Sequence, residues 1–345
     1  MVDSKKIIFF IVSNNGIGHL RRVIEVVKYL NKKKFFSKCF IYLDKKSLSL
    51  IKWDKKIYLK NKKIKWIFLK KKISNDKFFN FTKNLKFLYN TKNFITADIV
   101  ISDNLAIPLE SKKKIILMGS FLWSDIFLKK KYKLFKTREK FLLKKYKPQM
   151  ICLKSINCIK NKNVKKIEIN WIRKKIISKN NKKNGILFSP SKFINIKKTS
   201  RIIDHLLKDR KNKVYIPRSF YPLRKYFKKT ADFKFTNIDF KKIKFSFCRP
   251  GLGAVEDCIS NKIFMFQSAK DENIEIIHNS KVLKNLGLLS RIDERFFKMS
   301  FEDYLNLIKF SLPLYLKKIN KINSNGLKEI YSFLISINNE KKKYK

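Results

Sequence analysis

The chain opens with an apolar run that leads straight into a glycine turn and an amphipathic helix. Residues 6–12 read "KIIFFIV", and the next apolar side chains recur every three or four residues from Leu20 to Leu30. A continuous apolar run followed by that period predicts a buried strand, a turn and a helix. Because the strand must be covered on both faces, this unit favours an α/β fold with a parallel sheet.

The same alternation continues along the chain. Further strands are predicted for "CFIYL" from residue 39, "IKWIFL" from 64, "DIVIS" from 98, "KIILMG" from 114 and "QMICLK" from 149. A second series follows a polar, aperiodic segment, with strands at "GILFSPS" from 185, "KVYIP" from 213, "IKFSFC" from 243 and "IFMFQ" from 263. We predict a domain over 1–177, a linker over 178–184 and a domain over 185–340. The expected fold is α/β, with two doubly wound Rossmann-like domains facing a central cleft.

The charge is strongly one-sided. The sequence holds 83 Lys and Arg against 26 Asp and Glu, a formal net charge of +57. Such a balance is typical of proteins that bind nucleic acid or anionic membranes. Here, however, Lys is spread through every segment and interleaved with Ile, Phe and Asn, which favours a solvated surface. Attraction to an anionic membrane stays open as an alternative, and no specific nucleic-acid partner is expected.

Cysteine usage and hydropathy indicate in which cellular compartment the protein is expected. The five cysteines are odd in number and lack close paired spacing, so they indicate neither a disulfide framework nor a zinc site. The longest purely apolar stretches are about six residues, against the roughly 20 that a membrane helix needs. We therefore expect a cytoplasmic protein, with peripheral association at the inner face of the membrane as an option.

The first turn, "NNGIGH", places a rare histidine at the start of a helix. Gly16 and Gly18 give the backbone freedom to pass from strand to helix. His19 follows them and is one of three histidines in the chain. The helix dipole there disfavours an imidazolium, so a neutral ring that can accept a proton is favoured. The alternative interpretation is a histidine that caps or packs the turn.

The second turn, "CRPGLGAVEDCI", repeats this arrangement in the other half. Arg249 precedes Gly251 and Gly253, and a helix carrying Glu256 and Asp257 follows. Backbone N–H groups at a helix start, with an arginine beside them, suit a pyrophosphate. A carboxylate one turn further on suits the hydroxyls of a ribose. The same pattern also occurs in an ordinary turn with surface acids, and it is not the dinucleotide fingerprint.

Taken together, the two turns resemble a known enzyme group. "GIGHLRR" resembles the GxGHxxR opening of GT-B nucleotide-sugar glycosyltransferases, and "RPGLGAVED" with "FQSAKDENIEIIHNSKVLKNLGLL" resembles their donor-site region. The nearest resemblance is to the lipid-linked N-acetylglucosaminyltransferase of peptidoglycan synthesis and its UDP-glycosyltransferase relatives. The resemblance implies that His19 is the catalytic base and that Asp103, in "DIVISDNLAIPL", orients it.

The resemblance also assigns the donor site. Gly251 and Gly253 match the phosphate-binding glycines of the family. Asp257 stands where most members carry a ribose-binding Glu, so either the helix lies closer or Glu256 takes that role.

Further along, the resemblance covers the contacts to the donor sugar. Asp271 and Glu272 fall in the segment that contacts its hydroxyls, and Asn279 begins a stretch resembling the motif NAxxLxxLG. The Gln that usually follows the acid is absent, since Asn273 stands there.

The resemblance implies an inverting transferase that needs neither a metal nor a cofactor. It would move a sugar from a nucleotide diphosphate sugar, expected to be a UDP-sugar, to a sugar, lipid-linked or small-molecule acceptor. The expected setting is cell-surface glycan or glycolipid synthesis. Two alternatives stay open. One is a nucleotide-sugar hydrolase of the pseudaminic acid pathway type, and the other is a non-catalytic protein that binds polyanions or membranes.

Overall fold

A computed structural model of the chain describes residues 6–13, 17–44, 61–68, 77–126, 130–172, 183–189, 196–209, 212–218, 220–267 and 273–343. The chain divides into two compact units. The first comprises Met1–Ile172 and Asn325–Lys345, and the second comprises Arg173–Ser324.

The elements are numbered here in chain order. The described strands are β1 (Lys6–Ile11), β2 (Phe36–Leu43), β3 (Ile64–Phe68), β4 (Ile99–Asp103), β5 (Ile115–Met118), β6 (Gln149–Leu153), β7 (Lys165–Ile169), β8 (Gly185–Ser189), β9 (Lys213–Ile216), β10 (Ala231–Asp232), β11 (Ile243–Cys248), β12 (Phe264–Gln267) and β13 (Leu289–Arg291). The described α-helices are α1 (Ile17–Lys32), α2 (Lys77–Tyr89), α3 (Lys92–Ile95), α4 (Trp123–Ile126), α5 (Lys133–Tyr146), α6 (Ile196–Lys208), α7 (Asn237–Lys242), α8 (Leu252–Ser260), α9 (Ile274–Asn285), α10 (Phe301–Leu307), α11 (Leu312–Asn320) and α12 (Gly326–Lys343). Short 3₁₀ helices cover Ile107–Ser111, Lys130–Tyr132, Tyr221–Tyr226 and Glu294–Phe297.

The first unit is built on a parallel sheet with the strand order β3-β2-β1-β4-β5-β6-β7. Ile8, Phe9, Phe10 and Ile11 of β1 are completely buried, as a strand covered on both faces requires. After β1 the chain adds β2 and β3 on one side of the sheet, and after β4 it adds β5, β6 and β7 on the other side. β1 and β4 are therefore neighbours whose connections leave in opposite directions, and ligands of such sheets bind beyond the carboxyl ends at this reversal.

The second unit repeats this plan with the order β10-β9-β8-β11-β12-β13, all in parallel, and its reversal lies between β8 and β11. Phe247 of β11 stacks on Phe188 of β8 and on Phe266 of β12, with ring centroids 4.9 Å apart in both pairs. These rings belong to residues paired in register, so one aromatic row crosses the three central strands.

The structure confirms the predicted α/β class with two parallel sheets. Three strands were not predicted: β7, β10 and β13. β10 and β13 have two and three residues, which is too short for a recognisable period. β7 has the sequence "KKIEI" and lies at the edge of its sheet, where charged residues are usual.

The C-terminal helix departs from the predicted division of the chain. The prediction assigned residues through 340 to the second domain, whereas α12 belongs to the first unit. The ring of Tyr331 contacts Tyr29 of α1 and Phe35, with centroids 6.2 and 5.6 Å apart. Helical periodicity shows that a helix has a buried face, but it does not identify the sheet that covers the face.

Two hydrogen bonds fix the start of α12. The carboxylate of Glu329 accepts from the backbone N–H and the side-chain Nδ2 of Asn170, both at 2.7 Å. Residues 178–182 of the predicted linker lie outside the described residues.

In the part of the chain that the structure describes, no helix is long and apolar enough to cross a membrane.

Candidate functional site

The first glycine turn joins β1 to α1. Gly16 lies outside the described residues, and Gly18 and His19 form the first turn of α1, where both are half-buried. Asp103 is the last residue of β4, the neighbour of β1. The register pairs Ile11 with Ser102, so His19 and Asp103 both follow the carboxyl ends of the two strands at the reversal.

The predicted contact between His19 and Asp103 is present. Nδ1 of His19 lies 2.5 Å from Oδ2 of Asp103. The side chain of Asp103 is only 1% exposed and that of His19 is 12% exposed. An ionised carboxylate can only accept, so Nδ1 carries the hydrogen and Nε2 keeps a lone pair that can take a proton. The catalytic role of this pair stays a prediction.

Arg22 joins the pair as a third member. It lies one turn after His19 on α1, and its Nη2 donates a hydrogen bond to Oδ1 of Asp103. Burial raises the pKa of the Asp103 carboxyl, but the charge of Arg22, the His19 ring and their hydrogen bonds together hold that pKa below its usual range. Asp103 is therefore a carboxylate at neutral pH. Sequence reasoning gave roles to Asp103 and His19 but none to Arg22, although Arg22 is the last residue of the GxGHxxR match and the spacing i, i+3 puts it on the same helical face as His19.

Two aromatic side chains confine the imidazole. The centroid of the His19 ring lies 6.0 Å from that of Phe121 and 5.9 Å from that of Trp123. Both aromatic residues are buried, and their rings meet edge to face at 4.9 Å. They belong to the segment that follows β5, so three neighbouring strands contribute to the surroundings of His19.

The residue after Asp103 anchors that segment. Asn104 is buried in the left-handed region, with a φ of 56°. Its amide nitrogen donates to the carbonyls of Met118 and Phe121, at 3.2 Å each. Gly119 has a φ of +153°, and a Cβ there would lie 1.2 Å from the nearest terminal atom of the Asn104 amide. Glycine is therefore required at 119, because only glycine leaves room for the Asn104 amide.

A buried carboxyl on α5 connects the same loops from the other side. Glu139 accepts hydrogen bonds from the backbone N–H of Ala106, at 3.0 Å, and from that of Ser124, at 2.7 Å. Ala106 follows β4 and Ser124 lies in α4. Burial raises the pKa of Glu139 to about 7, although both hydrogen bonds act in the opposite direction. Sequence reasoning did not identify Glu139, since a single Glu in "KTREKF" looks like a surface residue.

The second glycine turn follows β11. Arg249 is half-buried, Gly251 is the N-cap of α8 and Gly253 lies in its first turn. Gly251 has a φ of −71°, which any residue can adopt, and a Cβ there would meet its nearest neighbour, Ile276 Cδ1, at 3.8 Å. Neither backbone conformation nor packing within the described residues requires this glycine. It leaves the start of α8 without a capping side chain, which favours an anion at these N–H groups.

Asn279 supports this turn from beneath. Its Nδ2 donates to the carbonyl of Pro250 at 2.9 Å, and the side chain is completely buried. Asn279 lies inside α9, which begins at Ile274 with Asn273 as the N-cap; the Asn273 side chain accepts from Glu275 N and Ile276 N.

The two acids after the turn are both buried. Glu256 is 3% and Asp257 is 6% exposed, and the carbonyl of Asp257 accepts from the backbone and the side chain of Asn261. Asp271 and Glu272, the predicted contacts to the donor sugar, lie outside the described residues. Among the described residues, no three His, Cys, Asp or Glu side chains are grouped closely enough to hold a metal ion.

Comparison with known proteins places this fold among glycosyltransferases. No family model and no curated protein sequence matches the chain. Three of the solved structures that match are TcCGT1 in complex with UDP, UGT89C1 of Arabidopsis thaliana complexed with quercetin, and the spinosyn rhamnosyltransferase SpnG complexed with thymidine diphosphate.

The likeness extends over nearly the whole chain. TcCGT1 is 12% identical, with 99% of this chain and 100% of that chain covered and a TM-score of 0.66. UGT89C1 is 10% identical, with coverages of 96% and 99% and a TM-score of 0.64. SpnG is 9% identical, with coverages of 95% and 99% and a TM-score of 0.60. The chain therefore has the GT-B fold of nucleotide-sugar glycosyltransferases.

Proposed function

We propose that the protein is a glycosyltransferase that moves a sugar from a nucleotide diphosphate sugar to an acceptor hydroxyl, with His19 as general base. The observation that carries this proposal is the 2.5 Å contact between His19 Nδ1 and the buried Asp103 carboxylate. It lies beyond the carboxyl ends of β1 and β4, where ligands of such sheets bind. A neutral imidazole held by a carboxylate is the arrangement that general bases use to activate a hydroxyl.

The transfer is a single displacement. Nε2 of His19 takes the proton of the acceptor hydroxyl as its oxygen bonds to the anomeric carbon. The bond between that carbon and the diphosphate oxygen breaks, and the electron pair leaves with the diphosphate. One displacement from the face opposite the leaving group inverts the anomeric centre. Asp103 stabilises the imidazolium that forms.

The second glycine turn would receive the diphosphate. The N–H groups at the start of α8 and the Arg249 guanidinium supply positive charge to the departing oxygens, which is our reason for proposing a reaction without a metal. We propose a UDP-sugar as donor. Support for a nucleoside diphosphate comes from TcCGT1 in complex with UDP and from SpnG complexed with thymidine diphosphate.

The acceptor is proposed to be a sugar or a lipid-linked sugar of a cell-surface glycan or glycolipid. Support comes from the exposed face of α5, where Leu134 is 86% and Phe141 is 60% exposed. They are seven residues apart on one helical face, among Lys140, Lys144 and Lys145. Apolar side chains flanked by lysines suit an anionic lipid surface. In flotation experiments, we expect binding to vesicles with anionic lipid and none to neutral vesicles. Binding to neutral vesicles alone would contradict this.

A panel of nucleotide diphosphate sugars tests the enzymatic proposal. A donor at 100 times its Kd adds about 2.7 kcal/mol to the free energy of unfolding, so thermal melting identifies it. Turnover is then measured with and without candidate acceptors, and the anomeric configuration of the product is read by NMR. Acceptor-dependent transfer with inversion supports the proposal. Fast, stoichiometric hydrolysis without an acceptor would instead identify a nucleotide-sugar hydrolase.

A further inference from the structure

Arg22 is the second charged residue beside the proposed base, and it has no part in the transfer described above. Arg22 is three residues after His19 on α1, and its side chain is only 6% exposed. Its Nη2 donates to Oδ1 of Asp103, whereas His19 uses Oδ2 of the same carboxylate. Each oxygen of Asp103 therefore has its own partner on one helical face of α1.

We infer that Arg22 is a positioning residue that acts on His19 through the Asp103 carboxylate. This inference rests on the proposed function, because it assigns a role to His19 as the base. A carboxylate can rotate about its Cβ–Cγ bond and turn the lone pairs of its oxygens away from Nδ1. The hydrogen bond from Arg22 to Oδ1 fixes that rotation and keeps Oδ2 directed at Nδ1.

Burial makes Arg22 necessary for this arrangement. Asp103 is 1% exposed, so bulk solvent does not compensate its charge and the guanidinium supplies that compensation. A buried carboxylate without full compensation is costly, and removal of one partner leaves an uncompensated charge. Arg22 and His19 are the charged or titratable partners that the described structure gives to Asp103.

Arg22 does not form a hydrogen bond with the His19 ring in place of Asp103. Its Nη2 lies 3.5 Å from Nδ1 of His19. Since Nδ1 already donates its hydrogen to Asp103, this nitrogen has no lone pair for Arg22. The arginine therefore cannot bond the ring in the Nδ1–H form. Its effect on the base passes through Asp103, which selects the tautomer with a free Nε2.

The inference is tested first by a measurement that needs no substrate. ¹⁵N NMR distinguishes the two tautomers of a neutral imidazole, and with three histidines in the chain the spectrum of His19→Gln assigns the His19 signals. We expect the Nδ1–H form in the wild type and a mixture with the Nε2–H form in Arg22→Gln. Arg22→Met, which has a similar length and no charge, gives a second comparison if Arg22→Gln does not fold.

Kinetics then separate positioning from binding. We expect Arg22→Gln to lower kcat on the order of 10- to 100-fold, with the KM for the donor within about twofold, and Arg22→Lys to recover most of the loss. In an Asp103→Asn background, Arg22→Gln should lower kcat by a further factor of less than about three. The two losses are not additive because both substitutions affect the same hydrogen-bonded group of His19, Asp103 and Arg22. Lys32→Gln, which removes a positive charge from an exposed residue in the last turn of the same helix, is the matched control and should leave kcat unchanged.

Retention of the Nδ1–H tautomer in both Arg22→Gln and Arg22→Met would overturn the inference, as would fully additive losses with Asp103→Asn. Failure of the wild type to turn over any donor would count against the proposed function instead. The NMR comparison would still decide the role of Arg22 in that case.

Discussion

At the scale of the residue, most of the buried charged side chains in the described part of the chain lie beside its two glycine turns. The charged side chains that are buried within the described residues are Arg22, Asp103, Glu139, Glu256 and Asp257. A buried charge is costly unless it is paired, and a chain with 83 basic residues has ample surface for its charges. Four of them, all except Glu139, lie beside the carboxyl ends of β1, β4 and β11, which points to function rather than to stability.

Asp257 supplies the prediction at this scale. If its carboxylate binds the ribose of the donor, Asp257→Ala should weaken UDP binding by on the order of 1 to 3 kcal/mol, measured by calorimetry. The carbonyl of Asp257 accepts from Asn261, and this bond is kept in the alanine variant, so α8 should still form. Glu256→Ala is the parallel variant. Unchanged affinity in both would remove the ribose contact from the account.

At the scale of the element, one helix holds together the loops around His19. Glu139 of α5 accepts from Ala106 after β4 and from Ser124 of α4. The face of α5 on the other side carries the exposed Leu134 and Phe141. α5 therefore connects the surroundings of the proposed base to the proposed lipid-binding face.

The raised pKa of Glu139 predicts how stability depends on pH. Its pKa is about 7 in the folded protein against the ordinary value of 4.5, so the folded state binds more protons between these values. Stability from this group is greatest at low pH and falls as the pH rises from about 4.5 to 7, by up to about 3 kcal/mol. Urea unfolding of Glu139→Gln should lack this dependence.

The free energy of unfolding of the variant is subtracted from that of the wild type at each pH. The new amide in Glu139→Gln lowers the free energy of unfolding by an amount that does not depend on pH, because the glutamine amide N–H faces a backbone N–H that Glu139 accepted from. The stability of the variant relative to wild type should therefore improve as the pH rises, since the wild type loses stability over that range. Glu302→Gln, at an exposed glutamate, is the control and should show no such trend. A difference between Glu139→Gln and wild type that is flat between pH 4.5 and 7 would be incompatible with a raised pKa.

At the scale of the whole molecule, the chain returns at its end to the unit in which it began. Three apolar residues of α12 are buried in the first unit: Ile330, Leu334 and Ile337. α12 therefore contributes to the core of the first unit.

Leu334 tests this division. The side chain is completely buried, so Leu334→Ala should lower the free energy of unfolding by about 2 to 5 kcal/mol. Hydrogen exchange should become faster in β1 and α1 of the first unit. Leu314→Ala, at a leucine that is 50% exposed, should change stability by about 0.5 kcal/mol or less. Faster exchange confined to β8 and β11 would contradict the assignment of α12.

Much of this fold follows from local pattern. Continuous apolar runs such as "KIIFFI" and "IKFSFC" predict buried parallel strands, and the glycine turns after them predict the two sites. The contact of His19 with Asp103 followed from the resemblance. Arg22 stands in the motif GxGHxxR, but its contact with Asp103 was not predicted. This contact, Glu139 and the placement of α12 each depend on a partner distant in sequence, and periodicity does not identify distant partners.

His19 is proposed to be the base of a transferase, and the nucleotide contacts are proposed for residues of the second unit. His19→Ala keeps the Arg22 partner of Asp103, so it leaves no unpaired buried carboxylate. With the donor found in the panel, we predict that kcat falls by about 10²-fold or more while the calorimetric Kd for the nucleoside diphosphate stays within about twofold. His205→Gln, at a histidine of α6 in the second unit, should retain full turnover. Full turnover by His19→Ala, at unchanged nucleotide affinity, would contradict the account.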